Sequence, residues 1–176
     1  MKRLVFDIES NGLLDTVDKV WCIAGVCIED GSEHLIKHED LTRQNILDFF
    51  SGYDIIVGHN IIDFDIPLLL KMYNIDLYNK FNPLKVVDTC IWSRTLFPDR
   101  ELPEGCPTVV KDEVTGKSKK ITPHSLEALG FSVGMRKIQI SDWTVYNEQI
   151  IDRCIKDVKI NIKVYEKLLE EASLLE

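Results

Sequence analysis

The sequence predicts an α/β protein built on a mixed, mostly five-stranded sheet flanked by helices. Three features point there: β-rich runs in hairpin order at the start, short apolar runs alternating with helical segments in the middle, and a long amphipathic stretch at the end. At 176 residues the chain is expected to form one domain, residues 1–176, around a single core.

Lys2 to Leu14 reads KRLVFDIESNGLL, in which Leu4, Val5, Phe6 and Ile8 form a β-type run that Asn11-Gly12 ends as a turn. Val20 to Glu29 is a second strand rich in β-formers, and Asp30-Gly31 turns the chain into a third near Glu33 to Lys37. Thr42 is placed to cap a helix through Ile46, Leu47, Phe49 and Phe50 that stops at Gly52. Asp54 to Gly58 is a short buried strand. The next helix begins near Asp65, because Pro67 is comfortable only in a first helical turn. A strand at Val86 to Asp88 then leads into a helix from about Thr89 to Leu96. Phe97 to Ile121, with Pro98, Pro103 and Pro107, is irregular. It ends in a basic segment, Lys111 to Lys120, expected to project as a β-hairpin turning at Thr115-Gly116. Thr122-Pro123 and Gly130 frame a short helix. The last helix is expected from about Tyr146 to Glu171, with Ile151, Ile155, Val158, Ile162, Tyr165 and Leu169 as its buried stripe.

Hydrophobic residues make up 45% and charged residues 28%, the balance of an ordinary soluble globular protein. No apolar run is long enough to span a bilayer. Asp7 breaks the apolar run behind Met-Lys-Arg, which argues against a signal peptide and against a membrane role. Cys22, Cys27, Cys90, Cys106 and Cys154 are odd in number and include no CxxC pair. They argue against a disulfide framework or a structural zinc and suit a reducing cytoplasm. A net charge of −8 counts against a surface that coats duplex phosphates. It leaves room for an enzyme that grips a few nucleotides through metals at an acidic site.

Asp7 and Glu9 sit two apart inside the first strand and therefore share a face. Two acids side by side on an apolar strand repel each other and resist desolvation. Either a divalent cation with oxygen ligands offsets them, or the strand is an edge whose polar face meets water. Asp65 opens a helix straight after a strand, and Asp157 borders the apolar stripe of the last helix on the side of Ile150, Cys154 and Asn161. Taken singly, Asp65 fits a helix-dipole acid and Asp157 a solvated helix residue.

Taken together, DIE at Asp7 to Glu9, HNIIDFD at His59 to Asp65 and the closing-helix Asp157 resemble the three exonuclease motifs of the DEDD superfamily of 3′–5′ exonucleases. FDIESNGLL, GHNIIDFDIPLL, VDTCIWSR, HSLEALG and NEQIIDRCIKDV further resemble, in order and spacing, the proofreading domain of bacteriophage family A DNA polymerases over nearly the whole chain. The resemblance implies an RNase H-like fold and a two-metal phosphodiesterase. Asp7, Glu9, Asp65 and Asp157 would hold two Mg²⁺ or Mn²⁺ ions roughly 3.5–4 Å apart. Single-stranded DNA 3′ ends are the implied substrate, in replication proofreading or DNA degradation. A separate DNA polymerase is an implied partner, and the cytoplasm of a phage-infected bacterial cell the implied setting. His59, Asn60 and Phe64 of the middle motif are read as substrate-binding, with Asn60 orienting the site. Leu13 or Leu14, just past the first motif, would wedge against the terminal base or simply pack.

One position departs from the family. A tyrosine four residues before the last acid positions the attacking water in this branch, and a sister branch uses a histidine five before. Here those positions hold Arg153 and Asp152. Arginine stays protonated and cannot act as a general base, but it can clamp a scissile phosphate through a bidentate contact. The plainer alternative is a solvated Arg153 beside a weakened site. His124, at the start of the short helix, is a second candidate base. Two other functions compete with a DNA exonuclease: a catalytically weakened module that holds nucleic acid ends or a polymerase, and an exonuclease on RNA or small oligonucleotides. Lys111, Lys117, Lys119 and Lys120 of the basic hairpin are expected to contact nucleic acid backbone or a partner, not to take part in the chemistry.

Overall fold

The computed structural model describes residues 1–80, 85–111 and 118–175. Its main sheet holds β1 (Arg3–Ser10), β2 (Val20–Cys27), β3 (Glu33–Lys37), β4 (Ile55–Gly58) and β5 (Lys85–Asp88), side by side in the order β3-β2-β1-β4-β5. β1, β2 and β3 pair antiparallel, whereas β4 and β5 run parallel to β1. The helices are α1 (Arg43–Phe50), α2 (Asp65–Tyr73), α3 (Leu77–Lys80), α4 (Thr89–Leu96), α5 (Leu126–Ser132) and α6 (Glu148–Ser173). This is the mixed α/β arrangement that the resemblance implied. Among the described residues no helix is long and apolar enough to cross a membrane.

Alternation along β1 sorts its side chains between two cores. Leu4, Phe6 and Ile8 join Ile46 and Phe50 of α1 and Leu68 and Leu69 of α2. Val5 joins Ile150, Cys154 and Val158 of α6 on the opposite face. Asp7 and Glu9 continue the Val5 side and so face α6.

The caps are local. Thr42 accepts from Asn45 N–H, as expected for the first helix, and Asn147 accepts from Ile150 N–H, so α6 starts at Glu148 rather than Tyr146. β2 stops at Cys27 instead of reaching Glu29, whose carboxylate turns back to accept from Arg3 N–H and Arg3 Nε at 2.6 and 2.7 Å. Ser125 caps α5, which begins after Thr122-Pro123 and runs past Gly130. A Cβ at Gly130 would lie 2.9 Å from Ile160 Cγ2, so this glycine lets α5 close on α6 and does not end the helix.

That contact also corrects the stripe expected on α6. Leu169 is exposed, and Ile155 and Ile162 are only half-buried. Because α6 lies between the sheet and α5, Ile160, Val164 and Leu168 pack with Leu126 and Leu129 of α5. The buried face thereby rotates to include Ile150, Cys154, Asp157 and Asn161. Asp157 is inside this face, 2% exposed, not on its border.

The basic segment forms a hairpin of β6 (Val109–Lys111) and β7 (Ser118–Lys120). The expected Thr115-Gly116 turn and Lys117 lie outside the described residues. A 3₁₀ turn at His38–Asp40 and the four-residue α3 were not anticipated, since elements this short leave no periodic signal.

Candidate active site

β1 outruns its parallel neighbour: the last β1–β4 pair is Val5 with Val57, and β4 ends at Gly58. The Ile8 N–H lies beyond that pair, and Asp65 in the first turn of α2 takes it, Oδ1 accepting at 3.1 Å. The turn that delivers α2 starts at Gly58, where a Cβ would collide with Ile61 Cγ2. It passes through Asn60 at φ +64°, a left-handed conformation that asparagine tolerates better than most residues. Asp88 at the end of β5 holds this turn, accepting from Asn60 N–H at 2.9 Å and Ile62 N–H at 3.1 Å. The same carboxylate caps α4 through Cys90 and Ile91 N–H.

Asp7, Glu9 and Asp157 each offer a carboxylate oxygen, and the three oxygens lie within 4.8 Å of one another. Asp65 stands beside this group, not within it. Asp7 Oδ2 and Asp157 Oδ1 are buried without a hydrogen-bond partner among the described residues. A buried oxygen left so is costly unless something fills its lone pairs. An all-carboxylate, hard-oxygen donor set with two such atoms fits Mg²⁺ or Mn²⁺.

Two cations share this ground. Lys137 Nζ lies 2.6 Å from Asp157 Oδ2, and Arg153 Nε lies 2.9 Å from the same oxygen and 3.7 Å from Glu9 Oε1. Arg153 also donates through Nη1 to the Ile138 carbonyl, and its Cζ stands 5.7 Å from the centre of the Trp143 ring. With its side chain only 14% exposed, Arg153 packs against these carboxylates and is not a solvated helix residue. Burial works against its charge but is outweighed by the carboxylates of Asp157 and Glu9, which leave its pKa above the usual value. Asp152 faces solvent.

His59 Nδ1 lies 2.9 Å from Thr89 Oγ1, whose hydroxyl reaches Asn161 Oδ1 at 2.7 Å. With the threonine proton directed at Asn161, His59 donates from Nδ1. Burial, with the charges of Lys137 and Arg94 added, pushes its pKa down to about 3, so the ring is neutral. Phe64 and Leu14 pack against the α1/α2 core, which leaves Leu13, 74% exposed, as the free member of the leucine pair. His124 Nδ1 lies 3.0 Å from Ser93 Oγ on α4, a structural partner and not one of the acids.

Lys137 falls in no quoted motif, and Asp88 lies in the VDTCIWSR stretch without being singled out by it. The signal for Asp88 was its place between a strand and a helix-opening Thr89, an N-cap position. Lys137 lies in the segment between α5 and α6, which is pinned by Trp21 Nε1 donating to Trp143 O at 3.0 Å and by the Arg153 contact to Ile138. No periodicity marks such a residue beforehand.

Burial, reinforced by the charge of Asp157, raises the Asp7 carboxyl to about 7. Burial and then the Asp7 charge push Glu9 and Asp65 well above the ordinary carboxylate range. The folded, metal-free chain therefore keeps a proton on Asp7 that the unfolded chain releases near pH 4. That contribution to stability is present in acid and is lost as pH rises to about 7. Asp7→Asn is expected to raise the melting temperature in EDTA, by several degrees at about pH 8 and by much less at about pH 5. A difference that does not change with pH would show that Asp7 is not the proton-binding group.

The profile of the family described as the RNase_H superfamily matches residues 4–103. The DNA-directed DNA polymerase of Enterobacteria phage T3 is 27% identical over 199 aligned residues, which cover 96% of this chain and 27% of the polymerase. The chain thus spans about a quarter of that relative's length. Among solved structures, a nuclease in its apo form is similar with a TM-score of 0.64, at 19% identity over 96% of this chain and 72% of that one. E. coli exonuclease I in complex with a 5cy-dT13 oligonucleotide is similar with a TM-score of 0.59, at 15% identity over 93% of this chain and 39% of that one. At these identities the structural likeness is one of fold.

Proposed function

The chain belongs to the RNase_H superfamily, and from that premise we propose that residues 1–176 form one metal-dependent 3′–5′ exonuclease domain acting on single-stranded DNA ends. The convergence of Asp7, Glu9 and Asp157 within 4.8 Å, with two buried oxygens unpartnered, carries this reading. Similarity to a phage DNA polymerase and to an exonuclease solved with an oligonucleotide supports DNA as the substrate. The same similarity supports work beside a polymerase, in proofreading or DNA degradation.

Asp7, Glu9, Asp65 and Asp157 would hold two Mg²⁺ or Mn²⁺ ions. Bound there, the ions would supply Lewis acidity, lowering the pKa of an attacking water and offsetting charge on the departing 3′ oxygen. The chain's own groups do the rest. Arg153 uses Nε and Nη1 within the protein, and its remaining N–H groups are left for the scissile phosphate. Lys137 adds a point charge on the same side. Asn60 and the neutral His59 orient the turn between β4 and α2, and Leu13, with the part of Phe64 not packed against the core, offers apolar surface to the terminal base.

The test is digestion of end-labelled single-stranded DNA and RNA with Mg²⁺, with Mn²⁺ and with EDTA. Stepwise loss of nucleotides from DNA 3′ ends is expected with either metal and not with EDTA. Faster digestion of RNA would move the substrate to RNA. No digestion with either metal would favour the weakened binding module, to which the pairing of Lys137 and Arg153 with Asp157 already lends some support.

A further inference from the structure

Beside the acidic centre lies a cavity of about 410 Å³ whose charged lining, among the described residues, is Arg94, Lys119, Lys120, Lys137, Arg153 and one acid, Glu127. The chain as a whole has 29 acidic and 21 basic residues, so five cations to one acid among the described lining residues make a concentrated positive patch. Lys137 and Arg153 join it to the centre, since both bond Asp157. Arg94 on α4 and Lys119 and Lys120 on β7 are exposed, and none of them makes an ion pair among the described residues. His59, which also lines the cavity, is neutral.

A strand whose terminal phosphodiester reaches Asp7, Glu9 and Asp157 brings its neighbouring phosphates within a nucleotide or two of them. Lysine and arginine that neutralise such phosphates strengthen binding by releasing condensed cations from the strand. We propose that this groove, between the β6–β7 hairpin and the start of α5, is the track of the single DNA strand. Arg94, Lys119 and Lys120 neutralise phosphates upstream of the scissile one, while Lys137 and Arg153 stand at the scissile phosphate itself. The track rests on the exonuclease reading for the identity of its strand. It extends that reading by explaining how an acidic protein holds a polyanion: through one local basic groove.

The test uses the full chain and an Arg94→Ala, Lys119→Ala, Lys120→Ala variant, whose substituted side chains are exposed and make no ion pairs among the described residues. Binding of a labelled oligothymidylate is followed by anisotropy in EDTA from about 50 to 200 mM salt. Thymidine monophosphate is the short competitor. Hydrolysis of its p-nitrophenyl ester, which has no upstream phosphate, is measured with Mg²⁺. The variant is expected to bind the oligonucleotide more weakly, with a log–log salt slope lower by about 0.7 for each phosphate no longer neutralised, near 2 for all three. Its ester hydrolysis and its affinity for the mononucleotide are expected to stay at the level of the unmodified chain. Unchanged oligonucleotide affinity and slope would overturn the track whatever the nuclease assay shows. Equal weakening of mononucleotide and oligonucleotide would overturn it in favour of a terminal-nucleotide pocket. If the unmodified chain hydrolyses neither DNA nor the ester but its slope still falls in the variant, the groove stands and the proposed catalysis fails.

Discussion

Asp7→Ala together with Glu9→Ala is expected to abolish metal-dependent removal of nucleotides from DNA 3′ ends while the protein stays folded. The pair removes two of the three carboxylates that converge within 4.8 Å, and Asp157 with Asp65, which stands beside the group, cannot hold two cations at the same place. Lewis-acid support is worth several kcal/mol, so the rate should fall by about 10³ or more. Stability should move the other way or not at all. In the metal-free chain these two acids repel each other and Asp157, and their burial raises both pKa values. Arg153 and Lys137 keep Asp157 as a partner in the double variant, so no buried cation is orphaned. Asp157→Ala provides the contrast: it strips both cations of their nearest carboxylate and is expected to lower the melting temperature as well as activity. End-label assays beside thermal melts separate the two effects. Unchanged cleavage in the Asp7, Glu9 double variant would mean a contaminant or a different site.

The parts of this site that could be read beforehand are those fixed by local periodicity. A period of two along β1 places Asp7 and Glu9 on one side whatever packs there, and Pro67 puts Asp65 into a first helical turn. The spacing of Arg153 and Asp157, one helical turn apart, likewise guarantees that they meet. What could not be read depends on a third body. Isolated, α6 looks like a helix with one apolar stripe; placed between the sheet and α5 it buries two adjoining faces, and Asp157 moves from the border to the interior. Gly130 signals a helix end by type but serves a close approach between helices. Lys137 comes from an irregular segment whose course is set by Trp21 and Arg153. Its arrival at Asp157 is a tertiary fact with no trace in spacing.

Arg153→Tyr is expected to lower turnover, although it restores the residue type that the resembled family carries at this position. The guanidinium is built into the site: it bonds Asp157 Oδ2, lies 3.7 Å from Glu9, donates to the Ile138 carbonyl and stacks near Trp143. A tyrosine there would remove the charge that opposes repulsion among the acids. It would also remove the planar fork that can hold a phosphate while Nε stays on Asp157. A preorganised donor aimed at developing charge is commonly worth about 10²–10³ in rate, and Arg153→Ala should lose a similar factor. Arg153→Lys, which keeps the charge without the fork, should fall between. The Tyr and Ala variants are expected to melt lower in EDTA, because Asp157 is then a buried carboxylate with Lys137 as its remaining cation. Were missing water activation the limitation instead, Arg153→Tyr would raise turnover, by up to about 10²–10⁴ for a positioned base. The two outcomes differ in sign, so kcat at saturating metal decides between them, and a rise with Tyr alone would overturn the clamp.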